Sequence, residues 1–264
     1  MVDPGPDDRE HLERVARAVA DADQGVILVT HGHPDHAGGA GTLARLTGLP
    51  VAGNIPAVDR PLSHGDRIPV DDGELEVVDT PGHARRHLSF LHHPSRELFV
   101  GDLLLGQGET SWVGEYPGCV ADYLVSLDRI QALQPSRIHP AHGPPLDDPE
   151  AAIARFRDHR LMRLGQVEEA LAELGVEAGR PGDAGPRGPG EGPDGARTGP
   201  ISPDMDPDAL VDEVVSRVYG PDLPRGVQVA ARWSARALLE YLDVLPVPPE
   251  GAPTEEGSRL AGGS

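Results

Sequence analysis

The stretch Thr30-His31-Gly32-His33-Pro34-Asp35-His36-Ala37-Gly38-Gly39 constrains this chain more than any other. It places three histidines and an aspartate within six positions, immediately after the apolar run Val26 to Val29, which reads as a buried strand. Imidazole and carboxylate suit zinc, iron or manganese, and a loop leaving a rigid strand can aim them at one point without bending the sheet. No regular helix or strand puts positions 31, 33, 35 and 36 on one face, so the spacing predicts two metals sharing one loop. A histidine-rich surface turn would account for one or two such residues, but not for ligands that recur further along.

They do recur, each just past an apolar run. Asp79-Thr80-Pro81-Gly82-His83 follows Leu75 to Val78, Gly101-Asp102 follows Leu98 to Val100, and His139-Pro140-Ala141-His142-Gly143-Pro144 follows a segment ending in Ile138. With these motifs in this order, residues 2 to 175 resemble the metallo-β-lactamase superfamily of hydrolases. The resemblance implies an α/β fold, an αββα sandwich. It also implies one metal held by His31, His33 and His83, a second held by Asp35, His36 and His142, and Asp102 bridging the two. Two zinc ions are the expected cofactors, since histidine and carboxylate without thiolate suit zinc, and the resemblance implies iron or manganese as alternatives. The implied mechanism is hydrolysis by a metal-bridging hydroxide, with Asp35 as the catalytic residue that holds the nucleophile in position.

Composition narrows the partners. The formal net charge is −20 with only 23 Lys plus Arg, which argues against nucleic acid as the main partner without excluding it, and favours a small-molecule substrate. A single cysteine, Cys119, rules out an internal disulfide and fits a reducing, cytoplasmic setting; opening a helical pattern, it reads as a packed thiol. No run approaches the roughly 18 apolar residues of a membrane span.

Taken in order, Met1-Val2-Asp3-Pro4-Gly5 resembles the turn that follows the opening strands of the superfamily's first sheet, so the sandwich is expected to be N-terminally truncated, through a start placed downstream or a short family form. Asp3 would then support the metal loop from behind. Asp7 to Ala20 carries a helical stripe through Leu12, Val15 and Val19. The pair Gly38-Gly39 permits close backbone approach and opens a second helix through Leu43 and Leu46. Val51 to Gly53 reads as a strand and Pro56 to Arg67 as loop, with His64 a solvated loop histidine. Leu75 to Val78, Leu88 to Leu91 and Leu98 to Val100 read as a second sheet. His87 is expected to hydrogen-bond near the site rather than bind metal, and Arg85 and Arg86 either meet an anionic substrate or are solvated. Trp112 and Tyr116 lie in a glycine-rich loop that is either a pocket wall or ordinary packing. Helical stripes follow from Cys119 and from Pro149.

Four segments result: a metal-hydrolase domain over 1–177, a Gly/Pro-rich linker over 178–207, a small helical domain over 208–250 and a tail over 251–264. The helices over 208–219 and 227–245 resemble the winged-helix tail of the β-lactamase-like protein 2 subfamily. Arg217, Arg225, Arg232 and Arg236 sit among many acids there, so docking or homodimer formation is the expected role. Hydrolysis of a small ester, thioester or lactone is the leading activity. A single-strand endoribonuclease, a glyoxalase II-like thioester hydrolase and an inactive interaction module are the alternatives.

Overall fold

The computed structural model describes residues 1–20, 24–179 and 206–247. They pack as two compact units, one of residues 1–111 with 122–159, the other of residues 112–121 with 160 onward.

In the first unit, helix α1 (Arg9–Ala18) starts at Asp8, whose carboxylate accepts the His11 backbone N–H at 2.7 Å. Strand β1 (Ile27–Val29) is buried throughout. The histidine-rich motif then forms a short helix α2 (Pro34–Ala37) and leads into α3 (Ala40–Thr47), which stops at Gly48. Strands β2 (Val51–Gly53) and β3 (Arg60–Pro61) follow, and all three strands pair in parallel in the order β1-β2-β3. Parallel pairing requires a crossover, which α2 and α3 supply between β1 and β2. Val2 adds a parallel bridge to Leu28.

The second sheet contains β4 (Arg67–Val70), β5 (Gly73–Asp79), β6 (Leu88–His92), β7 (Glu97–Gly101) and β8 (Arg137–Pro140), side by side in that order. It is antiparallel as far as β7, where β8 joins in parallel after the crossover helix α4 (Cys119–Ala132).

Alternation along β1 sets the layers. Leu28 faces the second sheet and packs with Ala52, Ile68, Val77, Leu88 and Phe90 between the sheets. Ile27 and Val29 point the other way, into Leu12, Ala40, Leu43 and Val51 beneath α1 and α3. On the far side α4 is tied to the end of β5, with Ser126 Oγ donating to the Pro81 carbonyl at 2.7 Å and Arg129 donating to the Asp79 carbonyl. These layers are those of an αββα sandwich. Truncating Phe90, which is fully buried in its centre, would cost about 3–5 kcal/mol.

Two readings of the sequence need correcting. The segment from Pro56 to Arg67 is not all loop: it contains β3 and the first residue of β4. Both residues of β3 are exposed, so no apolar pattern marked it, and Pro61 is tolerated because the strand lies at the sheet edge. Asp35 and His36 do not sit in a loop either, because Pro34 opens a helical turn beneath them.

The second unit takes the end of helix α5 (Pro149–Leu174) with α6 (Pro207–Tyr219) and α7 (Arg225–Tyr241). Val211 and Val214 of α6, and Ala235 and Leu238 of α7, are buried. Arg217 reaches Glu173 at 3.2 Å, and the Arg163 guanidinium stands over the Tyr219 ring at 4.7 Å. Among the described residues from 206 onward there are two helices and no strand. Residues 180–205 of the expected linker and the whole expected tail, 251–264, lie outside the described residues. Among the described residues, no helix is long and apolar enough to cross a membrane.

Glu240 of α7 is buried in this unit. Burial pushes its pKa up to about 7, against the opposing pull of Arg236, 3.3 Å away, and a hydrogen bond from the Gly118 backbone. From its ordinary 4.5 up to about 7, folded chains hold a proton that unfolded chains have released. Glu240 therefore makes stability fall as pH rises through that window. Thermal unfolding of the full chain should show a shallower decline over this range in Glu240→Gln than in the parent, and identical slopes would contradict the assignment.

Candidate metal centre

The residues of the site hang from strand ends of the first unit. Beyond β1 the chain places Thr30, His31 and His33, and α2 adds Asp35 and His36. The turn after β5 supplies His83, the residue after β7 is Asp102, and the loop after β8 supplies His142. Two sheets can converge here because the Thr30 carbonyl accepts the Leu88 N–H at 2.8 Å, stitching the end of β1 to the start of β6.

The structure brings all seven expected ligands together. Their donor atoms form three overlapping triplets, each with all atoms within 4.8 Å of one another: His31, His33 and His83; Asp35, His36 and His142; and His31, His36 and Asp102. His83 Nε2 lies 3.0 Å from His33 Nδ1, and His142 Nε2 lies 3.3 Å from His36 Nε2. Two nitrogens sharing a tetrahedral zinc at about 2.0–2.1 Å would lie roughly 3.3 Å apart. Asp102 reaches across the triplets, with Oδ2 3.5 Å from His36 Nε2 and 3.7 Å from His83 Nε2, and Oδ1 3.6 Å from His142 Nε2.

Two atoms make the fit to a cation specific. His31 Nε2 and Asp102 Oδ1 are buried with no hydrogen-bond partner. Leaving such atoms unsatisfied costs about 1–3 kcal/mol each, more for a charged group, and a metal ion would satisfy both. The electrostatics agree. Burial and then the neighbouring histidines hold His31 far below its ordinary pKa, so it is neutral and able to ligate. Burial opposes the charged form of His36, but Asp102 and Asp3 outweigh it and raise its pKa to about 10, a sign of the strong negative potential here. For Asp102, burial pushes the pKa up, yet His36, His83 and His142 bring it below its ordinary value, so it is ionised.

Support comes from behind. Asp3 Oδ1 accepts the Thr30 N–H at 2.8 Å, and Oδ2 accepts the Thr30 hydroxyl at 2.7 Å and lies 2.9 Å from His36 Nδ1. Asp3 adopts a left-handed backbone, φ 48°, a conformation that aspartate tolerates and these bonds stabilise. Close contact between the N-terminal turn and the motif explains Gly39, where a Cβ would lie 2.9 Å from the Pro6 carbonyl. His87 is buried beneath the site: its Nε2 accepts the Asp102 N–H at 3.3 Å and its Nδ1 lies 2.9 Å from Thr80 Oγ1. Its Nε2 lone pair is therefore committed to the backbone, which accounts for its place outside the triplets.

Other candidates stand apart. Arg85 and Arg86 are exposed, and His64 is an exposed loop residue whose Nδ1 accepts the Asp79 N–H at 3.4 Å. His139 stacks on Phe99. Trp112 packs against Trp233 with ring centroids 6.0 Å apart, and Tyr116 is buried, as ordinary packing requires. Cys119 is fully buried. Sequence reasoning missed Ser111, whose hydroxyl donates to the Asp102 carbonyl at 2.6 Å and lies 3.3 Å from His83 Nδ1. Nothing in an irregular loop announces that contact. It missed Thr30 as well, although its place between the strand and the first ligand was a usable signal.

The metallo-beta-lactamase superfamily model matches residues 1–56 and 50–142, more than half of the chain. The chain belongs to the metallo-β-lactamase superfamily. Among its superfamily relatives, a β-lactamase-like protein 2 homolog from Caenorhabditis elegans is 29% identical over 66% of this chain and 61% of its own length. An atrochrysone carboxyl ACP thioesterase from Aspergillus chevalieri is 32% identical over 66% of this chain and 56% of its own. A hydroxyacylglutathione hydrolase from Pseudomonas aeruginosa is 35% identical over 64% of this chain and 66% of its own. The chain thus spans less than two thirds of the length of the first of these relatives. A β-lactamase domain protein from Burkholderia ambifaria shares the fold at a TM-score of 0.67, with 20% identity over 91% of this chain and 77% of its own. No β-lactam chemistry follows from that likeness, which concerns the fold alone.

Gly101, with φ +50°, tests how tightly the superfamily frame is closed around the site. A Cβ there would lie 2.6 Å from Thr30 Oγ1 and 2.8 Å from His87 Nε2. Gly101→Ala should lower stability by about 1–3 kcal/mol in denaturant unfolding. Gly226→Ala, in the first turn of α7 where nothing lies within 4 Å, should be neutral to slightly stabilising. Equal stability of the two variants would contradict this close packing.

Proposed function

We propose that this chain is a hydrolase working with two metal ions, zinc by the make-up of the donor set, on a small ester, thioester or lactone. The triplet of His31, His36 and Asp102, which shares one histidine with each of the other two, carries the reading, because one carboxylate within reach of both ligand sets is what a paired centre needs. Among the three substrate classes a thioester is favoured, since relatives at 32% and 35% identity carry the names of a thioesterase and of hydroxyacylglutathione hydrolase. A net charge of −20 supports a small-molecule substrate over a nucleic-acid strand.

His31, His33 and His83 would hold one ion and Asp35, His36 and His142 the other, with Asp102 shared. Bound metal supplies Lewis acidity, making water nucleophilic near neutral pH and polarising the bond under attack. The chain's own residues do the rest. His31, His36 and Asp102 form a buried floor that keeps bulk water from behind the site. Asp35 and His142 are about half exposed, so substrate enters from their side. There the Asp35 carboxylate accepts a hydrogen bond from the attacking water and fixes its direction. Asp3 and Thr30 keep the floor in place.

Hydrolysis of a glutathione thioester and an acyl-CoA by the full chain should fall at least about 100-fold in His33→Ala and in Asp102→Ala. Bound metal should fall with it, while the far-UV spectrum is kept. A folded, fully active variant without metal would contradict the reading.

A further inference from the structure

A neutral histidine carries its ring proton on Nδ1 or on Nε2, and only the first form leaves Nε2 able to ligate a cation. For two of the site histidines, neighbouring hydroxyls settle the choice. Thr30 Oγ1 owns one proton and donates it to the Asp3 carboxylate at 2.7 Å. The same oxygen lies 3.0 Å from His31 Nδ1. With its proton committed it can only accept, so His31 carries its proton on Nδ1 and presents a bare lone pair at Nε2. That is the buried atom found without a hydrogen-bond partner.

Ser111 repeats the arrangement from another part of the chain. Its hydroxyl donates to the Asp102 backbone carbonyl at 2.6 Å, and a carbonyl has no proton to offer in return. Ser111 Oγ also lies 3.3 Å from His83 Nδ1, and with its proton committed it accepts there, so His83 donates. His83 Nε2 is then the ring nitrogen without a proton, 3.0 Å from His33 Nδ1 and 3.7 Å from Asp102 Oδ2.

We propose that Thr30 and Ser111 are positioning residues that lock His31 and His83 in the Nδ1–H tautomer, so that two of the three members of the first triplet face the centre before a cation arrives. The purpose of this lock rests on the metal-centre reading above; the tautomers themselves rest only on the hydroxyl geometry. Asp3 then acts on both ligand sets, directly through His36 Nδ1 and indirectly through Thr30 and His31.

The test is a long-range proton–nitrogen correlation spectrum of the histidine rings in the full chain stripped of metal. His31 and His83 should both show the Nδ1–H pattern, and an Nε2–H pattern for either would overturn the proposal. Thr30→Val keeps the shape without the hydroxyl and should release the preference at His31 alone, whereas Ser111→Ala should release it at His83 alone. In each, the zinc dissociation constant, read by competition with a chelating dye, should rise about 10–100-fold, and Thr30→Ser should restore the first. Parental affinity together with parental tautomers in both variants would overturn the lock. If a variant fails to fold, the parental spectrum still decides. A parent chain that shows both tautomers but takes up no zinc would support the lock and overturn the metal-centre reading, so the two fail separately.

Discussion

Lone pairs crowd together at the strand ends of the first unit, and the architecture around them exists to keep them there. Histidine and carboxylate acceptors that face one another repel unless protons or a cation intervene, and His31 Nε2 and Asp102 Oδ1 are buried with no hydrogen-bond partner. Holding such a cluster requires a rigid frame. The buried β1 on one side and β5 to β8 on the other provide it, joined at the site by the hydrogen bond between Thr30 and Leu88. The layer between the sheets, centred on Leu28, Val77, Leu88 and Phe90, makes that frame unwilling to relax.

The arrangement divides labour by burial. The floor, with His31, His36 and Asp102, is closed and backed by hydrogen bonds with Asp3, Thr30, His87 and Ser111. The rim, with Asp35 and His142, is open. A closed floor strengthens electrostatic interactions within it, and under the proposed function the open rim would admit the substrate. Gly39 and Gly101 fit the same scheme, because each sits where a side chain would push a supporting segment away from the ligands.

The residues of the cluster were legible in the sequence because each lies within seven positions of the end of a strand, and most of these strands betray themselves by apolar runs. His31, His33, Asp35 and His36 even share one local motif. Asp3 was legible only through resemblance, since a turn residue 27 positions before Thr30 gives no local sign of the bond between them. Ser111 was not legible: its contact with His83 depends on the path of an irregular loop, which has no periodicity to read. Strand β3 was hidden for a related reason, as an exposed two-residue edge pair leaves no hydrophobic trace. In the second unit, α6 and α7 were visible from their stripes, but their spacing could not show that Trp112 would pack on Trp233.

The central claim is that this cluster holds a pair of metal ions. Elemental analysis of the full chain, stripped with chelator, reloaded with zinc and desalted, tests it most directly. Two zinc ions per chain are predicted, and a reloaded, folded chain that retains none, or only one, would contradict the account.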